Sequence, residues 1–351
     1  TGVQTCALPI SYNCLVESNL EHRSLSLKNV LRMAKKNYCK LNIADPDFLK
    51  LIRKDNRLII LDDESDNDVG LISIASVNKL VSNKALTDSR RGKRKQGSDE
   101  IENYENILDN LKIIKGYDMF VMSELSLPWN MLEVFLKFSA DNQVGFVAGM
   151  EYLNLNNTVY NFVVTCLPFE KNHVKDCLPI FRLKKHYAPI EKSVLERESF
   201  SLPVDKNKWF DMFKWKGMCF TVLNCFELTN VRARASFVSK IDTLITIAYN
   251  KDITYYDNLA ESTSRDLYCY VVLNNVSQHG SSQIVAPKKQ ENKILLKVIR
   301  GTTEKNQTTI ETADLDIRGL RLFQKYGENN KDEFKPLPAG FNRNVARLNN
   351  V

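Results

Sequence analysis

Three side chains able to do chemistry each follow an apolar run. Glu124 closes "MFVMSEL", Lys184 lies in "FRLKKHYAPIE" just after "CLPIF", and Cys225 follows "CFTVLN". In α/β folds ligands gather outside the carboxyl ends of strands, so residues far apart in sequence can meet there. A thiol is a weak nucleophile until deprotonated, and a nearby carboxylate can take its proton. A lysine cation beside it favours thiolate and stabilises a developing oxyanion. The peptide N–H of Phe226, just past the cysteine, is a second oxyanion donor. Taken alone, Cys225 reads as a small core hydrophobe, because free cysteine is among the most buried residue types. A Cys–His protease has less support. Of the four histidines (His22, His173, His186, His279), only His186 sits in a motif-like setting.

The elements that must position these residues show in the hydrophobic spacing. Residues 24–41 place Leu27, Val30, Leu31, Ala34, Tyr38 and Leu41 on one helical face. Asp45 and Pro46 start a second, short helix as N-cap and N1. "RLIIL" reads as a strand, and the acidic "DDESDND" from Asp62 to Asp68 as a linker. Beyond it, the apolar runs "VGLISIASV", "YDMFVMSEL" and "VGFVAGM" alternate with two helices. One carries Ile101, Tyr104, Ile107, Leu108, Leu111 and Ile114 on a single face, and the other is "MLEVFLKF". The strands "VYNFVVTCL", "GMCFTVLN", "DTLITIAY", "LYCYVVLNNV", "SQIVAP" and "KILLKVIR" follow. Early strands that are apolar throughout indicate a sheet covered on both faces, so the pattern predicts an α/β sandwich with mixed sheets. Neither GxGxxG nor GxxxxGK[ST] occurs, which argues against nucleotide-dependent enzymes of those types.

Composition sets outer bounds. The 351 residues are 43% hydrophobic and 26% charged, as in a soluble protein with a sizeable core. The charge is 49 − 42 = +7, and much of the excess lies in "SRRGKRKQG" (Ser89 to Gly97). That segment reads first as a solvated loop and second as a nucleic-acid contact through Arg90, Arg91, Lys93, Arg94 and Lys95. Eight cysteines without a CxxC pair give no zinc-type spacing and suit a reducing cytosol. No apolar run approaches the roughly 18 residues of a membrane span, so a cytoplasmic protein is expected. The first ten residues, "TGVQTCALPI", have no initiator Met and no basic n-region. They resemble translated sequencing-adapter read-through, so they are expected to be non-native and the true chain to extend upstream.

The order Glu, Lys, Cys with these flanks resembles the carbon–nitrogen hydrolase (nitrilase) superfamily. "DMFVMSELSLPW" is similar to the strand leading into that family's catalytic Glu, matched by Glu124. "KKHYAPIE" resembles its K-x-H element, with Lys184 as the catalytic lysine and His186 as companion; Pro189 and Glu191 echo the apolipoprotein N-acyltransferase branch. "NCFELTNVRAR" resembles the nucleophile elbow, with Cys225 as nucleophile and Glu191 the candidate second glutamate. "YVVLNNVSQHGSSQIVAP" keeps Asn274, Gly280, Ser282 and Pro287 in step, and "ETADLDIRGLR" resembles the late strand-to-helix region. The match runs from about Val69 to Leu322.

The resemblance implies a four-layer α-β-β-α sandwich over residues 66–325, preceded by a lead-in at 11–65 and followed by a tail at 326–351. It implies a homo-oligomer that hydrolyses a non-peptide amide or nitrile through a Cys225 thioester or thioimidate, without metal or organic cofactor. It also raises a second expectation. Nitrilase-like domains occur as C-terminal fusions on bacterial defence-associated reverse transcriptases, which would make this chain the regulatory or scaffolding module of an antiphage polymerase lying upstream.

Several neighbours carry plainer readings. Lys185 is a solvated charge, and His186 braces a loop or assists Lys184. Glu227 orients backbone amides or pairs with Arg232 or Arg234. Trp129, Tyr255 and Tyr256 suit a pocket wall or simply pack. Cys166, Cys177, Cys219 and Cys269 read as core.

Overall fold

The computed structural model describes residues 56–61, 70–171, 174–203, 210–289, 291–299, 308–327 and 333–348. The helices expected over 24–41 and from Asp45, the linker at 62–68 and the first ten residues lie outside the described residues. Two mixed sheets face each other. One has six strands in the order β15 (Thr308–Asp316), β2 (Leu71–Lys79), β3 (Met119–Met122), β4 (Gly145–Gly149), β7 (Phe162–Lys171) and β8 (Val174–Leu183). The other has seven, in the order β1 (Asn56–Leu61), β9 (Phe210–Trp215), β10 (Met218–Asn224), β11 (Thr243–Ala248), β12 (Tyr270–Asn275), β13 (Ser282–Val285) and β14 (Ile294–Val298). A small hairpin, β5 (Leu153–Leu155) and β6 (Thr158–Tyr160), stands apart.

The two-residue period of the strands explains the layers. Met119 and Val121 of β3 point inward, into a core shared with Phe213, Phe220, Val222, Ile245 and Val272 of the second sheet. Phe120 and Met122 point outward, against Tyr104 and Leu108 of α2 (Ser98–Ile113) and Phe135 of α3 (Leu132–Asn142). On the far side, Leu223, Leu244 and Val271 pack on Leu259, Ala260 and Leu267 of α6 (Ile253–Leu267). The result is the expected α-β-β-α sandwich. β2, β3 and β4 run parallel, as do β10, β11 and β12, so their carboxyl ends share one edge of the sandwich.

Other elements escaped the sequence reading. α1 (Asn83–Arg90) and α4 (Pro189–Arg197) lack long apolar stripes. α5 (Val231–Ala235) is too short to show a period. The run "VYNFVVTCL" is not one strand, because β6 and β7 are separated at Asn161, which serves the site below. "RLIIL" is a strand, and it pairs in parallel with β9 at the edge of the larger sheet. α7 (Ile317–Tyr326) follows β15, as "ETADLDIRGLR" suggested. Among the described residues, no helix is long and apolar enough to cross a membrane.

Candidate active site

Glu124, Lys184 and Cys225 each lie just beyond a strand, two residues past β3, directly after β8 and directly after β10. The Lys184 ammonium donates to Glu124 Oε1 at 2.6 Å and to Glu191 Oε2 at 2.6 Å. Glu191 reaches it because Pro189 opens α4, a position where the missing N–H costs nothing. Asn161 Nδ2 donates to both carboxylates, at 2.9 Å to Glu124 and 3.2 Å to Glu191. The Tyr249 N–H completes Glu124 at 3.2 Å, and the Tyr152 hydroxyl donates to Glu191 at 2.8 Å. Burial drives the Glu124 carboxyl above its ordinary value; the Lys184 cation opposes this and the Glu191 charge adds to it. Burial alone would lower the Lys184 ammonium, but its two carboxylates outweigh that and hold it well above its usual range.

Backbone geometry aims the carboxylate. Leu125, just after Glu124, has φ +58°, a conformation that side chains normally avoid. A Cβ on Gly149 of β4 would lie 2.5 Å from both Glu124 Cα and Leu125 N. Only glycine lets β4 pass beneath the turn. Gly149, the second of two glycines in the apolar run "VGFVAGM", was the available signal for this close approach.

Cys225 begins a 3₁₀ turn, Cys225–Thr229, with φ +49°. Phe226 lies in the first part of that turn, where backbone N–H groups have no intrahelical acceptor. The thiol lies 3.7 Å from the Tyr256 hydroxyl and 4.0 Å from the Tyr249 carbonyl. Burial pushes the thiol up, the Glu124 charge adds to this, and Lys184 only partly opposes it. Lys184 thus acts in the expected direction, favouring thiolate, but burial and Glu124 outweigh it and the thiol resists ionisation. The lysine is shared between two carboxylates, which limits its pull on the sulfur.

Glu227 pairs with neither Arg232 nor Arg234. It forms a bidentate bridge to Arg182 of β8, at 2.8 and 2.7 Å, while Arg234 donates to Thr263. Glu227 also accepts from the Asn224 N–H at 2.7 Å and the Lys185 N–H at 2.6 Å. One carboxylate thus holds the residue before Cys225 and the residue after Lys184. Burial alone would raise its carboxyl, but Arg182 and these amides hold it below the usual range. Asn224 Nδ2 donates to Asn161 Oδ1 at 3.1 Å, tying the thiol side to the carboxylate side. Arg182 and Asn161 were missed because both sit in segments that read as ordinary strand.

The remaining candidates divide. His186 Nε2 meets Asn230 Nδ2 at 2.8 Å, in the loop-bracing role. The Lys185 ammonium lies over the Phe210 ring, and Lys185 is partly covered rather than fully solvated. Trp129 stacks on Phe181 and Tyr255 is 46% exposed, while Tyr256 alone of the three aromatics touches the thiol. Cys166, Cys177, Cys219 and Cys269 are buried, as expected. Asn274 ties the sheets together at this end, accepting from Ser76 and donating to the Val77 and Val121 carbonyls. Among the described residues no group of three or more His, Cys, Asp or Glu could hold a metal ion.

The basic segment Ser89–Gly97 is not simply a solvated loop. Its first two residues end α1, whose Leu86 joins Val81, Leu125, Tyr152, Leu195 and Val276 in an apolar cover beside Glu124 and Glu191. Tyr249 anchors that cover to Asn83 at 3.1 Å. Arg90 pairs with Glu198 at 2.9 Å, and Arg94 with Glu151 at 2.9 Å and with Glu100. Arg90 and Arg94 therefore brace the cover rather than face solvent. Arg91, Lys93 and Lys95 are exposed, with Arg91 3.6 Å from Glu198.

No protein-family model matches the chain, and no curated protein matches it either. Solved structures do. Nit3 of Saccharomyces cerevisiae, a member of branch 10 of the nitrilase superfamily, is 15% identical with a TM-score of 0.53, covering 75% of this chain and 96% of Nit3. An amidase variant from Nesterenkonia sp. AN1, with the acetamide moiety of fluoroacetamide added at its active-site cysteine, is 12% identical with a TM-score of 0.50. That match covers 71% of this chain and 92% of the amidase. The fold is that of the nitrilase superfamily.

Proposed function

We propose that this chain is a cysteine-dependent carbon–nitrogen hydrolase acting on a non-peptide amide or nitrile. The observation that carries the reading is the convergence of Glu124, Glu191 and Lys184 beside a buried thiol at a positive-φ strand end. The Glu124 carboxylate takes the Sγ proton as the sulfur attacks the amide carbon. Lys184 and the Phe226 N–H hold the resulting oxyanion. Collapse breaks the C–N bond, the amine leaves with the proton returned by Glu124, and a thioester remains. Glu124 then deprotonates water, which releases the carboxylic acid and restores the thiol. With a nitrile the sulfur adds to the C≡N carbon and Glu124 passes the thiol proton to nitrogen, giving a thioimidate; water then adds, ammonia leaves, and the thioester is hydrolysed as before. Glu191 and Asn161 act as positioning residues that fix the lysine and the base. The raised Glu124 carboxyl fits a group that must both accept and return a proton.

Fluoroacetamide, which alkylates by losing fluoride as the C–S bond forms, tests this directly. Peptide mass spectrometry should place the adduct on Cys225, ahead of the four core cysteines, and Lys184→Ala and Glu124→Gln should each slow it. An inert Cys225, or one indifferent to both substitutions, would return it to the packing role. The same wild-type protein should release ammonia from a panel of small amides or nitriles, and Cys225→Ala should not.

A further inference from the structure

A second cleft, of about 320 Å³, opens between the end of β2, α1 and the start of α2. Glu124, Lys184 and Cys225 do not line it. Its volume is at the lower end of the range of roughly 300–1,000 Å³ found for small-molecule sites. Lys79, the last residue of β2, lies in its wall and is only 6% exposed. Lysine is rarely buried without an acidic partner, because an ammonium out of water is costly. Among the described residues no carboxylate lies within ion-pair distance of Lys79. The ammonium donates to its neighbour's carbonyl, Leu80 O, at 3.2 Å and sits 4.4 Å over the Tyr104 ring.

The surrounding charges explain what this amine is suited to. Lys84, Arg94 and Lys95 line the cleft beside Asp88, Asp99 and Glu100, and Arg94 is itself held by Glu100 and Glu151. The cationic and acidic groups balance, so the cleft does not call for an anion. Burial lowers Lys79 to about 8; the Glu100 and Glu151 charges oppose the shift and Arg94 adds to it. Roughly a tenth of the amine is therefore neutral and nucleophilic at pH 7, far more than of an ordinary lysine. The Tyr104 face and the two nearby glutamates suit a cation that remains on the nitrogen after reaction.

We propose that Lys79 is a reactive amine site that condenses with the carbonyl carbon of a small aldehyde held in this cleft. The nitrogen lone pair forms the C–N bond, the carbonyl oxygen leaves as water with the two amine protons, and the imine nitrogen takes up one proton from solvent, placing its positive charge over Tyr104. This site is independent of the hydrolase reading.

Formaldehyde with a mild borane reductant traps such imines as methylated lysine. At neutral pH, Lys79 should be methylated about tenfold faster than the exposed Lys112 and Lys137, and the preference should vanish in denaturant. Benzaldehyde should be trapped on the same residue, because the cleft can hold it. Lys79→Met should remove the signal and leave melting temperature unchanged or raised, since an apolar side chain replaces a buried charge without an ion-pair partner. Labelling of Lys79 no faster than of Lys112 would overturn the proposal. So would formaldehyde labelling without benzaldehyde trapping, which would mean the cleft does not seat the reacting carbonyl.

Discussion

Two buried glutamates in this molecule face opposite demands. Glu227 meets one arginine in a bidentate bridge and two backbone amides, so every group near it stabilises the carboxylate. Asp242 is similar, with Arg321 and Arg347 on its two oxygens. Burial alone would raise both carboxyls, but the arginines and amides hold them below their ordinary range. Glu124 instead competes with Glu191 for a single lysine and is pushed upward. Glu227 and Asp242 are satisfied as carboxylates, whereas Glu124 is held closer to protonation. The direction of the shift separates Glu124 from these two where burial and ion pairing do not.

The comparison breaks if Glu124 and Glu227 respond alike to substitution. Glu124→Gln keeps the shape and leaves Lys184 its Glu191 partner. Amide turnover should fall by about 10²–10⁴, the usual contribution of a positioned acid–base group, with melting temperature little changed. Glu227→Ala removes the carboxylate that bridges the buried Arg182 guanidinium and should cost about 3–5 kcal/mol of folding stability. Urea denaturation and a turnover assay on both variants would decide. A Glu124→Gln protein as unstable as Glu227→Ala would place Glu124 among the structural residues.

Acid titration sharpens the same contrast, because the two groups contribute slopes of opposite sign. Glu227 is depressed in the fold, so the unfolded chain binds its proton more readily. Its stabilisation is present above the ordinary value of 4.5 and is lost as pH falls through the folded value. Glu124 is raised, so the folded chain keeps its proton longer and stability declines as pH rises from 4.5 towards that raised value. Melting curves from acid to neutral pH should therefore show Glu124→Gln gaining on wild type as pH rises through that window. A variant that tracks wild type at every pH would show that Glu124 carries no such shift.

Gly149→Ala probes the support under Glu124 rather than the carboxylate itself. The added Cβ meets backbone, not a movable side-chain tip, so β4 or the Glu124 turn must shift. About 1–3 kcal/mol of stability should be lost, and turnover should fall further than the folded fraction does. Correcting the rate for the unfolded fraction separates the two effects. Full activity per folded molecule would mean that the turn tolerates the displacement.

Much of the architecture was legible because strand alternation and helical spacing are local signals. The two-sided apolar strands implied a sheet covered on both faces, and α2 showed its buried face through Tyr104, Ile107, Leu108 and Leu111. Glu124, Lys184 and Cys225 were legible because each is a polar residue ending an apolar run. Asn161 and Arg182 were not, since each sits inside a strand-like segment and meets its carboxylate partners more than twenty positions away. α1 was hidden because it carries no long apolar stripe. Arg90 at its end and Arg94 beyond it look like a solvated patch until Glu198 and Glu151 are brought opposite them by the fold.

Tyr256→Phe should give the smallest effect and the most specific one. Its hydroxyl is 3.7 Å from Sγ, and burial, with the Cys225 charge adding to it, keeps the phenol protonated far above neutral pH. A neutral phenol beside a thiol that resists ionisation can donate to the sulfur as negative charge develops there, and again when the thioester breaks. Removing the oxygen leaves the ring packing against the core around Cys225 intact. The alkylation profile of Cys225 should therefore move to higher pH, and turnover should fall by about three- to tenfold with KM unchanged. A ring that serves only as packing would leave that pH profile where it was. The profile thus separates a hydrogen-bond donor from a wall residue, a distinction that burial and distance leave open for every other aromatic near the site.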